Sequence, residues 1–216
     1  MISRPDPKHR VNPAEAASEP LFCESGFVAG GSIRGRHGGW VAIEALPAIL
    51  RTLLVTDGTV TKTLEAYYWE PVAVSLQTQS FTRLPNHCAW LARERGAGVL
   101  RRAVQLRGKR SGRLYVDAHS LVRIEALPAA LADDLVCGRI GIGELIRTSG
   151  LETYREILDI GYGEQPLTQG LFEAPQAAHV YRTYRILLEH TPVILVTEYF
   201  RLETFGADGQ DAPNSA

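Results

Sequence analysis

The order of hydrophobic and polar residues divides the chain into helical and alternating segments. From Trp40 to Val55, leucine and isoleucine recur every three or four positions, which predicts an amphipathic helix. A Thr-Asp-Gly turn ends it, and Thr59 is placed to cap a second short helix over residues 60–68. Residues 71–83 then alternate between apolar and polar side chains, which predicts a strand.

The clearest predicted element is a β-hairpin over residues 98–124. Two alternating segments flank the sequence GKRSG, a loop with glycine at both ends. Beyond residue 128 the pattern indicates short helices with a glycine-rich joint, continuing to about residue 161, and then strands at about 179–188 and 192–205. Antiparallel strands with helices grouped before and between them predict an α+β fold, an antiparallel sheet flanked by helices.

Composition predicts one folded domain with an extension at each end. Residues 1–38 are rich in proline, alanine, serine, glycine and arginine, which is typical of a disordered arm. Residues 206–216 have the composition of a disordered tail. The folded domain is therefore expected over residues 39–205.

Net charge and cysteine content indicate which kinds of partner and which cellular compartment to expect. The 216 residues carry a net charge of −1, so no bulk basic field draws the chain to nucleic acid or an anionic membrane. Cys23, Cys88 and Cys137 are far apart and lack metal-ligand spacing, which is typical of a reduced compartment. With no secretory leader and no apolar run of about 18 residues, we expect a cytoplasmic protein; its oligomeric state leaves no signal.

Two charged residues fall on predicted apolar strand faces. Because strand side chains alternate, Arg102 points with the leucines and valine of its strand, while Arg101 points to the opposite, solvent face. On the last strand, Glu198 points with isoleucine, valine and phenylalanine. A buried charge requires a partner, because an unpaired one costs several kcal/mol.

Three explanations of this pattern stay open. Arg102 and Glu198 pair with each other or with nearby groups, which is the more common situation. Alternatively, both line an internal cavity for a small polar ligand, where a guanidinium fork matches a carboxylate and a desolvated glutamate holds a proton near neutral pH. A one-residue bulge would turn either side chain outward.

Four segments resemble, in order, blocks of the chorismate pyruvate-lyase family, closest to its actinobacterial and cyanobacterial branch. LLVTDGTVTKTLEAYYWEPVAV resembles the family's N-terminal signature, and LRRAVQLRG followed by YVDAHSLVRIEALP resembles its next hairpin. IGELI followed by LETYRE resembles a flap and helix, and RTYRILLEHTPVILVTEYF resembles the closing hairpin. The resemblance implies an antiparallel sheet with a sealed internal pocket under two flaps, which converts chorismate into 4-hydroxybenzoate and pyruvate.

The resemblance also implies which residues act. The family's catalytic arginine matches Arg102, and its acidic residue matches Glu198. Backbone N–H groups that hold the product carboxylate come from the helix start and the flap, which match Val60 with Thr61 and Ile142 with Gly143. The implied enzyme uses chorismate as substrate and needs no cofactor or metal, since aromatisation drives the reaction. Glu198 would act as general acid, and Arg102 would stabilise charge on the departing enolpyruvate.

Several other residues are interpreted as structural. His119 stands where other branches place arginine or glutamate, and the scattered histidines do not favour a metal site. We expect Asp57, Glu65 and Glu70 to be solvated charges on helix faces, and Arg147 and Arg155 to lie on the surface. The glycine-rich segments lack the strand–helix context of a nucleotide site.

A non-catalytic alternative comes from the ligand-sensing domains of some bacterial transcription regulators, which share the chorismate-lyase fold. Such proteins place a DNA-binding domain of some 70 residues before the sensor. The first 38 residues here are too short and too rich in proline and glycine for that domain, which favours the enzyme.

Overall fold

The computed structural model describes residues 32–34, 40–138, 141–163, 171–172 and 177–206. Within these residues the strands are β1 (Ser32–Arg34), β2 (Trp40–Ala42), β3 (Val72–Arg83), β4 (Gly98–Gly108), β5 (Leu114–Val122), β6 (Thr153–Tyr162), β7 (His179–Leu188) and β8 (Thr191–Arg201). The α-helices are α1 (Ala48–Val55), α2 (Val60–Tyr68), α3 (Ala129–Val136), α4 (Ile142–Ser149) and α5 (Leu202–Phe205). None of these helices is long and apolar enough to cross a bilayer.

One six-stranded antiparallel sheet organises the described residues. Its strand order is β3-β4-β5-β8-β7-β6, so the two hairpins β4–β5 and β7–β8 meet along the central β5–β8 pair. Helices α1 and α2 pack against one face, called the inner face here, through leucines such as Leu50, Leu53 and Leu64, each fully buried. The predicted α+β fold, an antiparallel sheet flanked by helices, is confirmed.

The predicted helices are partly confirmed. The second helix runs over residues 60–68 as expected. The first begins at Ala48, not Trp40, because Pro47 occupies its N-cap position and holds the preceding Leu46 in an extended conformation. Residues 40–42 instead form β2, which pairs with β1. The prediction of a helix starting at Trp40 is wrong.

The segment LETYREILDIG, expected among the short helices, forms β6. A bulge between Ile157 and Asp159 places Ile157 and Ile160 on the same face, where both contact the core. Their three-residue separation imitates helical spacing although the backbone is extended. The last strand is also shorter than expected, because the chain leaves β8 at Arg201 and turns into α5.

Most of the two predicted extensions lies outside the described residues. Ser32–Arg34 of the expected arm is the exception, because these residues form β1, which contacts β6. The domain boundaries otherwise stay predictions.

Glu70 fixes the tip of the β4–β5 hairpin to the end of α2. Its carboxylate accepts hydrogen bonds from the Tyr115 hydroxyl, the Ser111 hydroxyl and the backbone N–H groups of Ser111 and Arg110. Gly108 is required there, since a Cβ atom would lie 2.3 Å from Glu70 Oε1. The expectation that Glu70 is solvated is wrong, because only 8% of it is exposed.

Glu70→Gln should lower the free energy of unfolding at neutral pH. It should also make that free energy depend less on pH in the acidic range. Burial alone would disfavour the charge, but the hydrogen bonds outweigh burial and lower the Glu70 pKa to about 2. Because the pKa of Glu70 is lower in the folded state, the ionised carboxylate stabilises the fold at pH values above its ordinary pKa of 4.5. This stabilisation is lost as the pH falls toward 2. Urea unfolding at pH 7 should show a loss of about 2 kcal/mol. Glu152→Gln, at an exposed position, should change neither quantity, and an equal loss there would refute the assignment.

Candidate active site

A cavity of about 490 Å³ lies between the inner face of the sheet and the starts of α2 and α4. All six residues that the sequence matches to the family's site border it: Arg102, Glu198, Val60, Thr61, Ile142 and Gly143. These residues come from four separate segments, and the fold brings them together around one space. Both charges border a cavity and each also has a partner nearby, so the first two explanations hold together.

The cavity floor consists of two adjacent rows of side chains across the sheet. One row contains Gln79, Arg102, Ser120, Val196 and Tyr184 on β3, β4, β5, β8 and β7. The next contains Val104, Ala118, Glu198 and Arg182 on β4, β5, β8 and β7. Arg102 and Glu198 are thus separated by β5 and lie one row apart, about 10 Å across the strands and about 7 Å along them, or about 12 Å between Cα atoms. Ala118 and Ser120, both small, occupy the floor between them.

Arg102 is oriented by a glutamine that sequence alternation assigns to the wrong face. Only 2% of Arg102 is exposed, and its Nε donates to Gln79 Oε1 at 2.7 Å. A bulge between Leu76 and Thr78 turns Gln79 toward the cavity, where its Nε2 also donates to the Val136 carbonyl at 2.6 Å. Burial lowers the pKa of the Arg102 guanidinium, but arginine stays charged at neutral pH. Gln79 therefore links the arginine to the end of α3.

Glu198 pairs with an arginine other than Arg102. Arg182 Nε donates to Glu198 Oε2 at 2.7 Å, and both side chains are buried. The hydroxyl of Tyr184 donates to Glu198 Oε1 at 3.3 Å. Burial, followed by the negative charge of Glu198, raises the pKa of Tyr184, so the phenol keeps its proton and remains a donor. The carboxylate is held from both oxygens.

Two arginines tie the sheet to the loop before α2. Arg182 Nη1 donates to the Thr56 carbonyl, and Arg155 Nη1 donates to the carbonyls of Asp57, at 2.9 Å, and of Gly58. The expectation that Arg155 is a surface residue is wrong, because it is partly buried and borders the cavity. Arg147 also borders the cavity from α4, and its side chain is exposed.

Helices α2 and α4 both direct their N-termini at the cavity. Their N-cap residues, Thr59 and Gly141, make no side-chain capping hydrogen bond. The two starts lie side by side, since a Cβ atom on Gly143 would lie 3.6 Å from Thr59 Cγ2. First-turn N–H groups and the helix dipole favour an anion at this position. The two flaps implied by the resemblance stay a prediction.

Charges around the cavity also favour an anionic ligand. The bordering basic residues outnumber the acidic ones: Lys62, Arg102, Lys109, Arg147 and Arg155 against Glu65, Glu144 and Glu198. Within the ranges that the structure covers, no three histidine, cysteine, aspartate or glutamate side chains form a group suited to a metal ion.

His119 and Arg101 lie on the outer face, away from the cavity. The ring of His119 stacks on Phe172 at a centroid distance of 4.3 Å, and burial lowers its pKa to about 4. Arg101 lies over the same phenylalanine and donates to the Leu171 carbonyl. Arg101 therefore faces away from the site as predicted, but the expectation that it faces solvent is wrong, because residues 171–172 cover it.

Sequence reasoning missed Arg182 and Tyr184, although the signal for Arg182 was present. Arg182 alternates with Val180, Tyr184 and Ile186 on the apolar face of β7, which is the same pattern that identified Arg102 and Glu198. Tyr184 carried no such signal, since tyrosine is ordinary on an apolar face.

The fold and the cavity define an α+β protein whose sheet carries, on its inner face, a cavity bordered by more basic than acidic side chains and by two helix N-termini. A sequence profile of the Rv2949c-like chorismate pyruvate-lyases matches residues 54–206. The chain belongs to this family.

Two mycobacterial relatives support the assignment. The chorismate pyruvate-lyase of Mycobacterium leprae is 34% identical over 174 residues, covering 79% of this chain and 80% of the relative. That of Mycobacterium tuberculosis strain H37Rv is 30% identical over 177 residues, covering 80% and 87%. Among solved structures, PhnF from Mycobacterium smegmatis aligns with a TM-score of 0.48 at 15% identity, covering 70% of this chain and 67% of PhnF.

Removing the charge of Arg182 should be far more costly than removing that of Arg185, its neighbour along β7. Arg185 Nε makes an equivalent 2.6 Å bond to Glu156, but that pair is partly exposed. Arg182→Gln leaves Glu198 buried without its counter-ion, which should cost about 3–5 kcal/mol. Arg185→Gln should cost under about 1 kcal/mol. Chemical denaturation of both variants measures the difference, and similar losses would show that burial does not set the strength of the Arg182–Glu198 pair.

Proposed function

We propose that this protein converts chorismate into 4-hydroxybenzoate and pyruvate in the cavity between Arg102 and Glu198. The observation that supports the proposal best is the convergence of all six family-matched residues on one cavity, in a chain that belongs to the chorismate pyruvate-lyase family. Chorismate is a small dianion, and the cavity offers it a buried guanidinium and two helix N-termini.

The reaction is an elimination that makes the ring aromatic. The ether bond between the ring and the enolpyruvyl group breaks, and the ring carbon that carries the hydroxyl loses its hydrogen as a proton. Protonation of the departing enolpyruvate at its methylene carbon gives pyruvate, so that atoms and charge balance within one substrate molecule. No oxidant or reductant is consumed, and we expect no need for a metal, nucleotide or flavin.

The geometry suggests a role for each group. The N–H groups at the starts of α2 and α4, around Val60 with Thr61 and Ile142 with Gly143, hold the ring carboxylate. Arg102 binds the enolpyruvyl carboxylate and stabilises the charge that develops there. The ring lies over Ala118, whose small side chain leaves room above β5.

Glu198 handles the transferred proton in this proposal. Arg182 and the Tyr184 hydroxyl fix its two oxygens, and the residue first accepts the proton from the ring and then returns it to the enolpyruvate methylene carbon. The role of general acid expected from the sequence corresponds to the second of these transfers.

Incubation of the pure protein with chorismate tests the function directly. We expect equal amounts of 4-hydroxybenzoate, measured by chromatography, and pyruvate, measured with lactate dehydrogenase. Turnover should persist in EDTA, and a reaction without protein corrects for spontaneous decay of chorismate. Binding of chorismate without release of pyruvate would support the sensor alternative and overturn the enzyme.

Arg102→Ala should lower kcat/KM by a factor of about 10²–10⁴. The substrate carboxylate would be left without its partner in a buried site, which should cost about 3–5 kcal/mol in transition-state binding. Arg102→Lys should lose much of the same activity, since an ammonium cannot form the two-pronged contact. Arg101→Ala, on the opposite face of the same strand, should leave kcat/KM within about threefold while lowering stability by about 1 kcal/mol. Equal kinetic losses at the two positions would contradict the assignment of Arg102.

The proposal places the reaction in the cytoplasm, with chorismate as the partner and no part for nucleic acid or membrane. Cys88 and Cys137 are free cysteines, Cys88 buried and Cys137 exposed.

A further inference from the structure

Ser120 is a buried hydroxyl on the cavity floor whose position suggests contact with the ligand. It lies on β5 directly opposite Arg102 on β4, which brings the two Cβ atoms to about 5 Å. Only 6% of the residue is exposed, and it borders the cavity. Its neighbour on the other side is Val196 of β8. Glu198 lies diagonally across from it on β8, opposite Ala118.

Among the described residues, the Ser120 oxygen is not one of the buried polar atoms that lack a partner, so it opens into the cavity and is not sealed in the core. A hydroxyl in that position can bond to water in the cavity and can donate to a ligand that replaces the water. By contrast, the hydroxyls of Thr183 and Thr197 on the outer face bond to each other at 3.0 Å. Ser120 keeps a polar group where alanine would fit equally well, at a position that borders the ligand space.

We propose that the Ser120 hydroxyl donates a hydrogen bond to the same substrate carboxylate that Arg102 binds, so that the two side chains form one anion site. The inference deepens the proposed function and rests on it. Serine and arginine are direct neighbours across the β4–β5 pair, so one carboxylate can meet both, one oxygen facing the guanidinium and the other the hydroxyl. Ser120 thereby selects the orientation of the enolpyruvyl group.

Ser120→Ala should separate this role from a structural one. A hydrogen bond to a charged group contributes about 1.5–3 kcal/mol, so kcat/KM for chorismate should fall about tenfold to a hundredfold. The free energy of unfolding of the ligand-free protein should stay nearly unchanged, because the Ser120 hydroxyl opens into the cavity. Ser80→Ala is the matched control, since Ser80 is exposed on β3 and lies outside the cavity.

Two further comparisons keep the test decisive. The side chains introduced by Ser120→Thr and Ser120→Val have almost the same shape, but only threonine carries a hydroxyl. The Ser120→Thr variant should therefore be at least tenfold more active than Ser120→Val, even if the added methyl group lowers the activity of both variants. A double-mutant cycle of Ser120→Ala with Arg102→Lys should show losses that do not multiply, because both changes act on one carboxylate.

The outcomes distinguish this inference from the enzyme proposal. If the wild type turns over chorismate but Ser120→Ala stays within threefold of it, or the losses in the cycle multiply, Ser120 is not part of the anion site. If the wild type binds chorismate without turnover, the enzyme proposal fails. The Kd values of the same variants for chorismate then show whether Ser120 belongs to the anion site, because its loss should weaken binding if it does. If the wild type neither binds nor converts chorismate, both proposals are overturned.

Discussion

Burial of charged side chains on the inner face of the sheet is the constraint on which the rest of the site depends. Arg182 and Glu198 are almost fully buried and lie opposite each other on β7 and β8. Each would destabilise the fold by several kcal/mol without the other. Arg182 also reaches the Thr56 carbonyl, so the same pair fixes the loop that begins α2. The carboxylate proposed to carry the proton and the helix start proposed to bind the ring carboxylate are therefore held by one arginine.

Placing Arg102 two strands away from this pair creates the space for a ligand. Had Arg102 and Glu198 been direct neighbours, they would have neutralised each other and left no site. Instead β5 runs between them with Ala118 and Ser120 on its inner face, and each charge is oriented from outside the cavity, Arg102 by Gln79 and Glu198 by Arg182. The charges stay in place without closing the gap, which is what preorganised binding requires.

Alternation of side chains was enough to find Arg102 and Glu198, because no bulge interrupts β4 between Leu100 and Leu106 or β8 between Ile194 and Arg201. Alternation failed where a β-bulge inserts an extra residue into a strand. The bulge at Gln77 moves Gln79 to the inner face, and the bulge at Leu158 gives Ile157 and Ile160 a helical spacing. A bulge is set by pairing with a neighbouring strand, which local sequence does not reveal. The start of α1 was predictable in principle, since Pro47 marks it.

The match of backbone N–H groups at Val60 and Ile142 required knowledge of the family, because any residue type supplies an N–H group and no side-chain pattern marks it. Side chains nevertheless set where these groups point. Arg155 and Arg182 hold the carbonyls of Thr56, Asp57 and Gly58, so the chain enters α2 with its N-terminus toward the cavity. These two arginines on the sheet therefore fix the loop that precedes the proposed anion site, and their positive charge adds to the positive field at the start of α2. In the proposed function, the same side chains would serve both the fold and the binding of an acid.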